Sequence, residues 1–228
     1  MVMTIAIPMR MTTHMTIHTN HLLILQQMLS PAFPVGSFAY SQGLEAAVQA
    51  GWVSDAPQTE VWLRDILSHG SAWSDLVLCA HAVHGRTGVR RLDDLARALC
   101  LAPERKRETL QQGKAFASAA NTTWGLALIP AAYPVVLGQA IAELELPPAA
   151  SLSALLLAQI TAQVSAAQRL VPLGQTEAQS VIAHLSSLCA PLADRALSTE
   201  LDDIGGFAPL ADVAMQRHGG LYSKLFQS

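Results

Sequence analysis

The chain reads as all-α, and three features of the sequence say so. β-Branched residues are sparse and no long run alternates with period two, so strand signals are almost absent. Apolar residues recur instead in about ten segments punctuated by Pro, Gly and capping residues. One of these, "LSALLLAQITAQVSAAQ", spreads Leu152, Leu155, Leu156, Ile160 and Val164 around much of a helical cylinder without a single charge. The expectation is a single compact helical domain over residues 20–218, with a flexible extension before it (1–19) and a flexible docking tail after it (219–228).

The elements follow in order. Thr19 or Asn20 can cap a first helix, "HLLILQQMLS", which Pro31 stops. Ser37 can cap a second, from about Phe38 to Ala50, with Gly51 placed to end it in a left-handed conformation. Ser54, with Pro57 in the first turn, opens a third through "TEVWLRDILSHG". Ser74 and Asp75 open a fourth, to about His84, and "RLDDLARAL" is a fifth. From Pro103 a sixth runs through "ERKRETLQQGKAFASAA", its charges from Glu104 to Glu108 reading as a solvated face. Pro134 starts "VVLGQAIAEL", ended by Pro147-Pro148; the long apolar helix comes next and stops at Pro172. "GQTEAQSVIAHLSSL" and "PLADRALS" complete the set.

Of the 228 residues, 51% are hydrophobic and only 14% charged, about half the usual share of charge. That is more apolar surface than one core needs, which points to a protein partner. With 14 basic and 17 acidic side chains and no basic cluster, a nucleic-acid backbone is excluded as a ligand. Cys79, Cys100 and Cys189 are odd in number and far apart, so a reducing cytosol is expected rather than a disulfide framework. The charge-free stretches 115–142 and 146–168 are interrupted by Pro, Asn or Gln, and neither reads as a membrane span. Nor does the start show an apolar segment followed by a small-residue cleavage site, so no signal peptide is evident.

Catalytic patterns are missing. No glycine-flanked serine follows a strand, and "QQGKAF" lacks the first glycine and the hydroxyl of a phosphate-binding loop. His14, His18 and His21 could align on one helical face as weak metal ligands, but Thr12, Thr13, Thr16, Ile17 and Thr19 make a poor isolated helix. In "LCAHAVHG", Cys79 and His81 point about 200° apart on a helix and do not share a metal, leaving ordinary helix residues with His84. The long apolar helix is either central to the core or shared with a second subunit through Leu152, Ser153, Leu156, Leu157 and Ile160. After Gly219-Gly220, the residues Leu221, Tyr222, Leu225 and Phe226 fall on one helical face and form a short anchor for a partner or for the chain's own domain.

Four blocks, "SPAFPVGSFAYSQGLEAAVQAGWV", "YPVVLGQA", "VSAAQRLVPLGQTEAQ" and "AMQRHGGLYSKLF", occur in this order. Through them the chain resembles the UreF family of urease accessory proteins over residues 21–228. The resemblance implies a non-enzymatic helical homodimer that bridges the urease-binding accessory protein UreD (UreH) and the GTPase UreG. That assembly inserts nickel into apo-urease with GTP hydrolysis by UreG, and the chain itself holds no cofactor. The resemblance further implies a partner platform in which Phe38 and Tyr40 pack with Tyr222 and Leu225, Lys224 adds a polar contact, and Glu45 and Phe226 take part. Arg105 and Arg107 are the arginines on the sixth helix that could reach a GTPase. The alternative is a nickel carrier built on His14, His18 and His21.

Overall fold

A computed structural model describes residues 18–85 and 87–228, and among these there is no strand. The helices are α1 (Thr19–Met28), α2 (Leu44–Gln49), α3 (Ala56–His69), α4 (Ser71–His84), α5 (Val89–Ala98) and α6 (Pro103–Trp124). They continue with α7 (Tyr133–Glu143), α8 (Pro148–Leu170), α9 (Gln175–Ser186), α10 (Cys189–Ser198) and α11 (Pro209–His218). The expected all-α domain is therefore what forms. Proline sets the first turn of α3, α6, α7, α8 and α11, where the missing N–H costs nothing.

Two helices form the axis. Almost every side of α4 is buried, from Ala72 and Trp73 to His81 and Ala82, and it packs on α3, α5, α7, α8 and α10. The other axis is α8, which buries Leu152, Leu155, Leu156, Ile160 and Val164 against α3, α4, α9 and α10. Of the five residues expected at a dimer contact, Leu152, Leu156 and Ile160 are thus taken up by the chain's own core. Leu157 stays exposed and Ser153 half-buried on the opposite flank. This is the one described helix long and apolar enough to cross a membrane, and its buried stripe accounts for that composition.

Gly138 on α7 and Gly113 on α6 mark where backbones meet. A Cβ on Gly138 would lie 2.5 Å from Ala82 Cβ and 2.6 Å from Cys79 O, and one on Gly113 only 1.9 Å from Ala131 O. Gly138→Ala should therefore force α4 and α7 apart and cost about 3 kcal/mol, the upper part of the overpacking range. Urea unfolding checks this as a lower midpoint at unchanged slope.

Three local expectations change. The stretch 38–50 is not one helix: Ser37–Ala39 is a 3-10 turn, Gln42 and Gly43 are both left-handed (φ 51 and 83), and only then does α2 begin. Gly51 does end it left-handed, at φ 74. Helix α3 is capped by Asp55, whose carboxylate accepts from Gln58 N, rather than by Ser54, and α4 begins at Ser71. Finally, α11 formed where no helix was expected. The tail after it is not helical; it folds back onto the domain.

Candidate docking site

The stretch from Ser30 to Val48 builds a receptor for the chain's last residues. Phe33 anchors it to α6, stacked on Trp124 at 5.6 Å and tilted against Phe116 at 5.3 Å. Gly36, at φ 70, turns the chain into the 3-10 turn and leaves Phe38 72% exposed at its crest. Tyr40 turns inward and its hydroxyl donates to Gln111 Oε1 at 3.1 Å, while burial and the neighbouring Glu108 carboxylate push its pKa up. Backbone then meets backbone: Gln227 N donates to Ala39 O at 2.8 Å and Ser41 N to Ser228 O at 2.9 Å. The Ser41 hydroxyl donates to the same Ser228 oxygen at 2.6 Å.

One carboxylate holds the tail from the other side. Glu45, in the first turn of α2, accepts from Leu225 N at 2.7 Å on one oxygen and from Phe226 N at 3.0 Å on the other. His218 Nε2 approaches that second oxygen at 3.2 Å, and His218 Nδ1 donates to Glu104 Oε2 at 2.7 Å. Lys224 closes the ring, its ammonium donating to Glu104 Oε1 at 3.1 Å and Gly219 O at 3.0 Å. Phe226 is buried, with the Arg169 guanidinium of α8 4.5 Å from its ring centroid. Glu45 was expected to take part in a partner platform; it is buried and bonded within the chain.

Burial works against the Glu104 carboxylate, yet the hydrogen bonds from His218 and Lys224 outweigh it and hold its pKa below the ordinary 4.5. A carboxylate depressed on folding stabilises the docked tail above its unfolded pKa and loses that contribution as pH falls through the folded value. Tail protection should therefore persist at neutral pH and decline only below 4.5, and Glu104→Gln should flatten the decline. The Leu225 amide resonance followed through an acid titration is the readout.

Beneath the tail seat lies a second buried cluster. Arg105 pairs with Asp75 of α4 and, at 3.4 Å, with Glu108. Glu108 also accepts from Gln42 Nε2 at 2.9 Å and from Ser228 Oγ at 2.8 Å. Burial pushes Asp75 up even with Arg105 beside it. The expected solvated face at Glu104–Glu108 is corrected here: Arg105 and Glu108 are buried, with Arg105 bonded to Asp75, whereas Arg107 is exposed. A signal was present, because the lone Asp75 in the apolar "SAWSDLVLCAHAV" required a buried cation.

The predicted platform separates into two layers. Tyr40 and Phe226 turn inward, Phe38 and Leu225 stay exposed, and Tyr222 is fully exposed, so these rings do not form the single packed cluster that was expected. Tyr40, Phe226 and Phe38 line a cleft of about 950 Å³ between α1 and the open flank of α8, where Ser153 and Leu157 lie. Its floor holds the Arg105 cluster and Tyr133, whose hydroxyl pKa is pushed up by burial. Gln159 and Gln163 also line it, and their side-chain oxygens are buried without a hydrogen-bond partner among the described residues.

His14 lies outside the described residues; His18 is exposed and meets His21 ring to edge at 5.5 Å. Among the described residues no three His, Cys, Asp or Glu side chains could share a metal ion. His81 is buried against Thr199 O at 2.9 Å, and His184 meets Glu60 on the surface at 3.0 Å.

The most elaborate local structure of this helical fold seats its own tail and leaves Phe38 and Tyr222 exposed. Residues 53–186 match the UreF family model. A urease accessory protein UreF from Cereibacter sphaeroides is 45% identical over 207 residues, covering 91% of this chain and 98% of that protein. Those from Rhodopseudomonas palustris and Roseobacter denitrificans are 44% and 40% identical, over 90% and 94% of this chain and 92% and 100% of theirs. The chain belongs to the UreF family of urease accessory proteins, which are non-enzymatic chaperones.

Proposed function

We propose that this chain is a scaffold for urease maturation that bridges UreD (UreH) and the GTPase UreG, so that nickel enters apo-urease with GTP hydrolysis by UreG. The chain holds neither nickel nor nucleotide as a cofactor of its own and works in the cytoplasm. The observation that carries this reading is the clamped tail. Glu45 fixes Leu225 and Phe226, and Phe38, Tyr222 and Leu225 are exposed. Aromatic groups already held in place lose little entropy when a partner arrives.

The homodimer is assigned to the open flank of α8, at Ser153 and Leu157, with Leu152, Leu156 and Ile160 shaping it from behind. Phe38→Asp tests the platform. It should leave the helical fold intact and abolish co-purification with UreD and UreG; an intact assembly from that variant contradicts the proposal.

A further inference from the structure

A second surface lies away from the tail seat, at the start of α11. Ile204 and Ala208 are buried, and a Cβ on Gly206 would come within 2.3 Å of His69 O at the end of α3. The backbone on both sides of Phe207 is thus pinned to the domain, and Phe207 between them is 79% exposed. Leu210 and Val213 follow at three-residue intervals on α11 and are also exposed, extending the strip along one helical face. Exposed large apolar groups in a row, on pinned backbone, mark an interaction surface rather than chance.

The acidic and basic residues of the segment that carries the strip are all of one sign. Glu200, Asp202, Asp203 and Asp212 lie within 13 residues, and no Lys, Arg or His occurs between Arg195 and Arg217. In a chain this poor in charge, four of the 17 acidic side chains are gathered here, and none of them forms an ion pair among the described residues. Partial burial pushes the Asp212 carboxyl up, with no cation offsetting it. Arg217, at the far end of α11, lies 5.3 Å from the Trp52 ring centroid.

We infer that the Phe207–Leu210–Val213 strip is a docking surface for a basic amphipathic helix of a partner protein, its apolar face on Phe207 and Leu210 and its Lys or Arg residues over Asp202, Asp203 and Asp212. Charge complementarity selects this occupant: an acidic segment or an anionic membrane is repelled by the same carboxylates.

The test uses the full chain and two synthetic 14-residue amphipathic helices with the same leucine pattern, one lysine-rich and one glutamate-rich, followed by fluorescence anisotropy. The lysine peptide is expected to bind at least about tenfold more tightly than the glutamate peptide. The Phe207→Ser/Leu210→Ser variant should weaken it by about tenfold or more, as loss of central anchors does. Asp202→Asn/Asp203→Asn should weaken it and flatten its salt dependence. All these side chains are exposed, so the variants should fold; unchanged circular dichroism checks that. No binding of the lysine peptide, equal binding of both peptides, or binding untouched by the Phe207 variant overturns the inference. So does preferential binding to phosphatidylserine-containing vesicles. The chain is tested alone, so the outcome stands apart from the maturation reading.

Discussion

Arg105→Met is expected to cost about 3–5 kcal/mol, because it strips the bonded guanidinium from two largely buried carboxylates. Glu108 is almost wholly buried and Asp75 largely so. Met fills a similar volume, so the loss would come from electrostatics rather than from a cavity. For a chain of this length the melting temperature should fall by about 10 °C. Asp75→Leu in the same chain removes one of the stranded carboxylates, and the double variant should recover part of the loss. A double-mutant cycle on melting temperature reads the coupling directly. Additive losses would mean that the pair contributes little.

Glu45→Ala has a different signature, because its loss is local. Two backbone N–H groups and His218 share this one carboxylate. Hydrogen bonds to a charged group contribute about 1.5–3 kcal/mol each, so tail docking should weaken by about 3 kcal/mol or more. Local opening of the tail then becomes at least about 100-fold more frequent. Trypsin gives a simple readout, since Lys224 sits just before the clamped residues. Cleavage after Lys224 should accelerate by that factor, while the melting temperature moves far less than for Arg105→Met, since the tail can leave without opening the core. Equal cleavage rates would show that the clamp does not hold the tail.

The contrast between these two residues shows what the sequence could and could not convey. The helix start at Pro103 and the left-handed end at Gly51 are local devices, and they were legible. The split of 38–50 was not, because Gln42 is a non-glycine residue in the left-handed region and is held there with help from Glu108, 66 positions away. Helix α11 was missed because "PLADVAMQRH" has a weak apolar stripe; it forms by tertiary packing on α2 and α6. The tail's seat rests on hydrogen bonds between residues 180 or more positions apart, which leave no local pattern. Its spacing suggested a helical anchor, whereas the chain runs on without helix so that its N–H groups reach Glu45 and Ala39.

The residues named through the resemblance fall into two groups. Phe38 and Tyr222 are exposed, whereas Glu45, Tyr40 and Phe226 are buried in the seat of the tail. Partner binding should therefore divide these residues into two groups. Substitutions at Phe38 or Tyr222 should impair assembly without altering the tail, whereas those at Glu45 should impair both.

The most direct measurement is urease activity in nickel-supplied cells expressing apo-urease and the other accessory proteins, with this chain, without it, and with its Tyr222→Ser/Leu225→Ser variant. The account predicts activity with the chain, little without it, and little with the folded variant. Full activity in the chain's absence would contradict the maturation role, and full activity with the variant would contradict the tail platform.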